Sequence, residues 1–193
     1  MPVKNLATWN AVIKGLVRFG ELKSARILFD EKPQRNKISF MTIIDGYAKV
    51  GDMAAARLLF DELLEKDLFS WSVLILGYVQ NRKSNEAMKV FGKRYAMNVK
   101  SDEFIMVNLM SACSQLGCLE LARWVDSYIS NNSCDLGRPH VAAALIDMNA
   151  KCGNMDRVNL LFEKMPKRDL ISFCSMIQGF SIHGHVVQAV VTV

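Results

Sequence analysis

The stretch "GYAKVGDMAAARLLFDE", Gly46 to Glu62, rewords "GLVRFGELKSARILFDE", Gly15 to Glu31, which lies 31 residues earlier. Eight of the seventeen aligned positions are identical: two glycines, then Ala, Arg, Leu, Phe, Asp and Glu. A repeat decides the architecture before any local pattern, because a unit of this length is one supersecondary element that cannot bury its apolar face alone. The second glycine of the stretch sets the phase. It recurs as Gly20, Gly51, Gly117, Gly153 and Gly184, with Arg82 between Gly51 and Gly117, at spacings of 31, 31, 35, 36 and 31.

Each unit has one grammar. A first helix carries apolar residues at i, i+3, i+4 spacing, as in Trp9, Val12, Ile13 and Leu16. Glycine then suits the left-handed conformation that closes a helix. A second helix follows, marked by Ala25 and Phe29, Ala56 and Phe60, Ala87 and Phe91; the small Ala admits close approach and the Phe fills the seam one turn on. Pro2, Pro33, Pro139 and Pro166 fall at seams, where a helix must stop. The complete units are therefore 6–36, 37–67, 68–102, 103–138 and 139–169. Residues 1–5 read as the tail of an earlier unit and 170–193 as the start of a sixth, so the chain reads as a fragment of a longer array. The expected fold is all-α, an α-solenoid of antiparallel helix pairs.

Bulk properties exclude several classes. Half of the residues are apolar, enough for a sizeable core, yet no run approaches the roughly 18–20 residues that span a bilayer. Cys113, Cys118, Cys134, Cys152 and Cys174 are odd in number and form no C-x-x-C pair. They read as small buried residues rather than a disulfide framework or zinc site. The net charge of +5 permits a polyanionic partner without requiring one.

The openings "ATWNAVIKG", "ISFMTIIDG", "FSWSVLILG" and "ISFCSMIQG" differ from the tetratricopeptide pattern and closely resemble the pentatricopeptide-repeat family. The mixed unit lengths, with "MSACSQLGCLELA", "ALIDMNAKCGNMDRVNLLFEKMPKRD" and "LISFCSMIQGFSIHGH", resemble its plant subgroup of alternating long and short repeats, here without the C-terminal extension of that subgroup. The resemblance implies a right-handed solenoid. It also implies single-stranded RNA binding in a mitochondrion or plastid, the mitochondrion slightly favoured, at one base per repeat. Two residues of each repeat would read the base: the fifth and the last.

Helical geometry is compatible with those roles. The second, fifth, ninth and thirteenth positions of the first helix share one stripe: Ala7, Asn10, Lys14 and Arg18 in the first unit, Ile38, Met41, Asp45 and Lys49 in the second. Lys14, Arg18, Lys49 and Lys151 are candidate phosphate contacts, the alternative being a solvated helix face. Asn10 with Asn36 offers donor and acceptor and, by the resemblance, favours C or U. Met41 with Asp67 gives a weak U, since only Asp67 is polar. Ser72 with Asp102 suits guanine, whose N1–H and N2–H want acceptors. Val107 with Arg138 offers no evident edge recognition, Ala143 leaves Asp169 unsupported, and Cys174 is equally uninformative. These four non-polar fifth residues read better as space-fillers. Ile38, Phe69, Phe104 and Ile171, at the second position, resemble the apolar wedges that sandwich bases; the alternative is inter-helix core. His140 takes that place in its unit, with no evident partner. Trp9, Phe40, Trp71 and Phe173, at the fourth position, read as core.

Cytidine deamination of RNA, associated with some arrays of this subgroup, needs H-x-E and C-x-x-C elements. His140, His183 and His185 belong to neither, and no glycine-rich phosphate loop or nucleophile elbow occurs. No catalysis, cofactor, metal, membrane or small-molecule substrate is expected. The expected partners are single-stranded organellar RNA and editing or processing proteins, which would make the chain the recognition module of an RNA-processing or C-to-U editing factor. The alternative is a protein-interaction solenoid that binds a peptide on the same surface without RNA. At most five bases is too little to single out one transcript site, and a further possibility is that so short a fragment does not function alone.

Overall fold

The computed structural model describes residues 6–96, 102–132, 135, 137–165 and 170–184. Among them are eleven α-helices and no strand. Pro2, Cys134, Pro166, Asp169 and His185 lie outside the described residues. The chain divides into two compact units at Lys83/Ser84.

The first unit holds α1 (Leu6–Arg18), α2 (Leu22–Glu31), α3 (Lys37–Lys49), α4 (Met53–Glu62) and α5 (Leu68–Gln80). Short connections turn each helix back on the last, so α1 packs on α2 and α3, and α3 on α4 and α5. Ala25, Phe29, Ala56 and Phe60 are wholly buried in the seams, as their spacing predicts. Burial of each Phe contributes about 1.5–3 kcal/mol. The rings meet the fourth residue of the next unit edge-on: Phe29 and Phe40 lie 4.9 Å apart at 84°, and Phe60 and Trp71 4.9 Å apart at 66°. The turn after α3 has Gly51 at φ 85°, the left-handed region where a Cβ is penalised. Arg82 adopts φ 55° in the equivalent place after α5, so the geometry is kept although the glycine is not.

The second unit holds α6 (Ser84–Ala96), α7 (Glu103–Leu116), α8 (Leu119–Asn131), α9 (Pro139–Lys151), α10 (Met155–Lys164) and α11 (Leu170–Ile182). Here α7 packs on α6, α8 and α9, and α9 on α10 and α11. A core of Ile146, Ala150, Met155, Val158, Phe162, Met176 and Phe180 joins the last three helices. The helices approach closely at Gly179, where an added Cβ would lie 2.6 Å from the Ala150 Cβ.

Three expectations are corrected. Of the fourth-position aromatics only Trp71 is fully buried; Trp9, Phe40 and Phe173 are half-buried, Phe40 and Phe173 packing edge-on against Phe29 and Phe162. Cys113 and Cys152 are buried, but Cys118, the N-cap residue of α8, and Cys174, on α11, are exposed. Pro139 begins α9 at its first turn, where its missing N–H costs nothing, and so opens a helix instead of stopping one.

Candidate nucleic-acid interface

Ile38, Phe69, Phe104 and Ile171 are 51–64% exposed. Single exposed apolar residues are ordinary, but these four occupy one position in four helices, and the core alternative does not hold for them. In the first unit Ile38 and Phe69 line an open groove of about 570 Å³ together with Lys14, Arg18, Met41, Asp45 and Lys49. The stripe read from the sequence is therefore one surface across α1, α3 and α5, with apolar walls and charge at one end.

The last residue of a repeat gains its orientation from a second duty, because it caps the next helix. Asn36 Oδ1 accepts from Ser39 N at 3.1 Å, and the Asn36 N–H donates to Ser39 Oγ at 3.2 Å, closing a capping box on α3. Asp67 Oδ1 accepts from Ser70 N at 3.0 Å and Ser70 Oγ at 2.8 Å at the start of α5. Its other oxygen pairs with Lys37. In the second unit Asp102 caps α7 through Ile105 N at 2.8 Å.

The fifth residues vary in access. Asn10 is half-buried, whereas Met41, Ser72 and Ala143 are buried at 3–6% exposure. Ser72 donates its hydroxyl proton to the Leu68 carbonyl at 2.8 Å, so only its lone pairs remain. Val107 is half-buried. Arg138, exposed, pairs with Glu103 at 2.7 Å and Asp135 at 3.6 Å. The expectation that His140 has no partner is corrected: its Nε2 faces Glu103 Oε1. His183 is hydrogen-bonded to the Ala150 carbonyl at 3.0 Å.

The four candidate phosphate contacts separate into two kinds. Lys49 pairs with Asp45 at 2.6 Å, and Lys151 with Asp147 at 2.9 Å, one helical turn apart in each case. Among the described residues Lys14 and Arg18 have no carboxylate partner. No three His, Cys, Asp or Glu residues converge as a metal site among the described residues.

Sequence reasoning missed Lys32. It is 4% exposed, and its ammonium donates to Asn10 Oδ1 at 2.5 Å and Asn36 Oδ1 at 3.4 Å, joining both reading residues of the first repeat. Burial pushes its pKa below the ordinary lysine value. The signal was present in the repeat alignment: three residues after the buried Phe come Lys32, Leu63 and Arg94, a core column interrupted by two cations. Arg94 is wholly buried as well; burial lowers its pKa, while Tyr128 and Asp102 favour its charge.

A sequence model described as "PPR repeat" matches residues 7–36, 38–68, 69–93 and 143–170, more than half of the chain. Pentatricopeptide repeat-containing protein At5g37570 of Arabidopsis thaliana is 62% identical over 89 residues, 46% of this chain and 16% of that protein. Pentatricopeptide repeat-containing protein At1g04840 of the same plant is 46% identical over 187 residues, 97% of this chain and 28% of that protein. Arabidopsis relatives named mitochondrial (At2g22410) and chloroplastic (ELI1) are 34% and 38% identical, over 58% and 45% of this chain and 16% and 13% of their own lengths. The chain thus spans between about an eighth and just over a quarter of the relatives it matches. Among solved structures, the pentatricopeptide repeat protein PPR10 in complex with an 18-nt psaJ RNA element superposes with TM-score 0.80 at 23% identity. That superposition covers 97% of this chain and 29% of PPR10, a likeness of fold.

Proposed function

The chain belongs to the pentatricopeptide-repeat family, and from that premise we propose that the groove across α1, α3 and α5 binds single-stranded RNA, one base per repeat. The carrying observation is the exposed pair Ile38 and Phe69 on one groove with Lys14 and Arg18. Two apolar walls suit the faces of an unpaired base, and stacking of this kind contributes about 1–3 kcal/mol per base. The cations at the groove's end suit the phosphate that follows it. The reading pairs keep their sequence assignments: a pyrimidine for Asn10 with Asn36, a weak U for Met41 with Asp67, and G for Ser72 with Asp102. The repeats from 103 onward contribute stacking more than selectivity. As part of a longer array, the chain would be the recognition module of an organellar RNA-processing or editing factor. The names of the mitochondrial and chloroplastic relatives support that setting.

Fluorescence anisotropy with labelled eight-nucleotide single strands tests the reading against a duplex of the same sequence. Single strands are expected to bind more tightly than duplex, and the double variant Ile38→Ala, Phe69→Ala to lose at least about tenfold, since two walls of a stacking site are removed. Equal binding of single strand and duplex, or an unchanged double variant, would favour a peptide-binding surface instead.

A further inference from the structure

The first reading pair is built differently from the others. Asn36 Oδ1 already accepts from Ser39 N, and the Lys32 ammonium approaches the same oxygen as well as that of Asn10. An ammonium carries donors only, so each amide must turn its oxygen towards it and its NH2 away. A buried stem holds Lys32 there: at 4% exposure, the side chain cannot swing its charge into water without leaving the core. In the second repeat the same column holds the apolar Leu63, 6% exposed, in place of a cation.

We infer that Lys32 settles which pyrimidine the first repeat takes: by holding both amide oxygens of Asn10 and Asn36, it leaves that pair two NH2 donors, which match cytosine and mismatch uracil. Cytosine presents two adjacent acceptors, N3 and O2, on its Watson–Crick edge. Uracil places its N3–H donor between two carbonyls, and that proton needs an acceptor the pair has turned inward. Guanine, with two neighbouring donors, is rejected more strongly. Lys32 touches no base in this arrangement. It is a positioning residue: it sets the orientation of the Asn10 amide, which would otherwise turn freely, and reinforces that of Asn36, whose oxygen the Ser39 N–H already holds. Arg94 supports the idea that this column tunes the residue above it, since it too is a buried cation whose charge is favoured by the helix-capping Asp102.

The inference rests on the RNA-binding reading above, and its test separates the two. The 193-residue chain is titrated against labelled eight-nucleotide oligo(rC) and oligo(rU), and the ratio of the two dissociation constants is compared between wild type and Lys32→Met. The comparison of ratios cancels the other repeats and needs no knowledge of register. The preference for C over U is expected to fall about fivefold to tenfold in Lys32→Met, the low end of what one well-placed hydrogen-bonded pair discriminates. Lys32→Arg, which keeps the donors and the charge, is expected to retain it. Should Lys32→Met lose its helical circular dichroism, Lys32→Gln gives the same readout with a polar tip, because its amide can accept from Asn10 and release the orientation. An equal loss of affinity for both RNAs, with the ratio unchanged, would overturn the inference and leave RNA binding standing. Binding of neither RNA by the wild type would overturn both.

Discussion

Arg82 shows how firmly the repeat imposes its turn. The residue sits at φ 55° where five other units of the chain place glycine, so a long side chain occupies a conformation that costs an L-residue about 1–2 kcal/mol. Arg82→Gly relieves that strain at the expense of extra freedom in the unfolded chain. The expected net is a stabilisation of about 0.5 kcal/mol, read as a higher urea midpoint with an unchanged slope. Lys32 allows a second prediction at this scale, with a definite sign. Burial holds its folded pKa below the model-peptide value of 10.5, so between the two values the unfolded state binds more protons. Stability therefore rises with pH across that window. The wild type is expected to gain stability relative to Lys32→Met between pH 7 and pH 10.5, groups common to both cancelling. A constant difference in urea stability across that range would show that the ammonium is not desolvated.

At the scale of the element, the residue proposed to read a base is also the one that starts the next helix. Asp67 caps α5 through Oδ1 and pairs with Lys37 through Oδ2, so its two oxygens carry separable loads. Asp67→Ala removes both and is expected to cost about 1 kcal/mol, mostly the cap. Asp67→Asn keeps a capping oxygen and gives up only the exposed ion pair, a loss of about 0–1 kcal/mol. Thermal unfolding of the two variants checks the order, and a larger loss for Asn than for Ala would contradict the cap. The same duality explains why the helices were legible in the sequence and the reading geometry was not. Helix periodicity, Ala25 and Phe29, and the glycine phase are all local patterns with a fixed spacing. The amide orientation at Asn10 depends on Lys32, 22 residues away, and the groove on side chains from three helices.

At the scale of the whole molecule, a net charge of +5 says little, because what an RNA backbone meets is the charge left unpaired along its path. The sequence showed four cations at equivalent stripe positions of three repeats, and only the side-chain partners divide them. Lys49 and Lys151 are held one turn from Asp45 and Asp147, a pairing compatible with i, i+4 spacing but equally compatible with a lysine free to reach a phosphate. Wedge or core was likewise undecided for Ile38 and Phe69 until their exposure was known, since helical spacing places a residue on a face without saying what covers that face. The division of the cations predicts opposite effects from neighbouring substitutions. Lys14→Gln removes an unpaired cation from the groove and should lower the slope of log affinity against log salt by about 0.7, the value for one phosphate contact on a single strand. Asp45→Asn frees Lys49 and should steepen that slope by up to about 0.7 while tightening binding at low salt. Anisotropy titrations between 50 and 200 mM salt, roughly the range over which such slopes are resolved, provide the measurement. Unchanged slopes in both variants would mean that the phosphates run elsewhere than along α1 and α3.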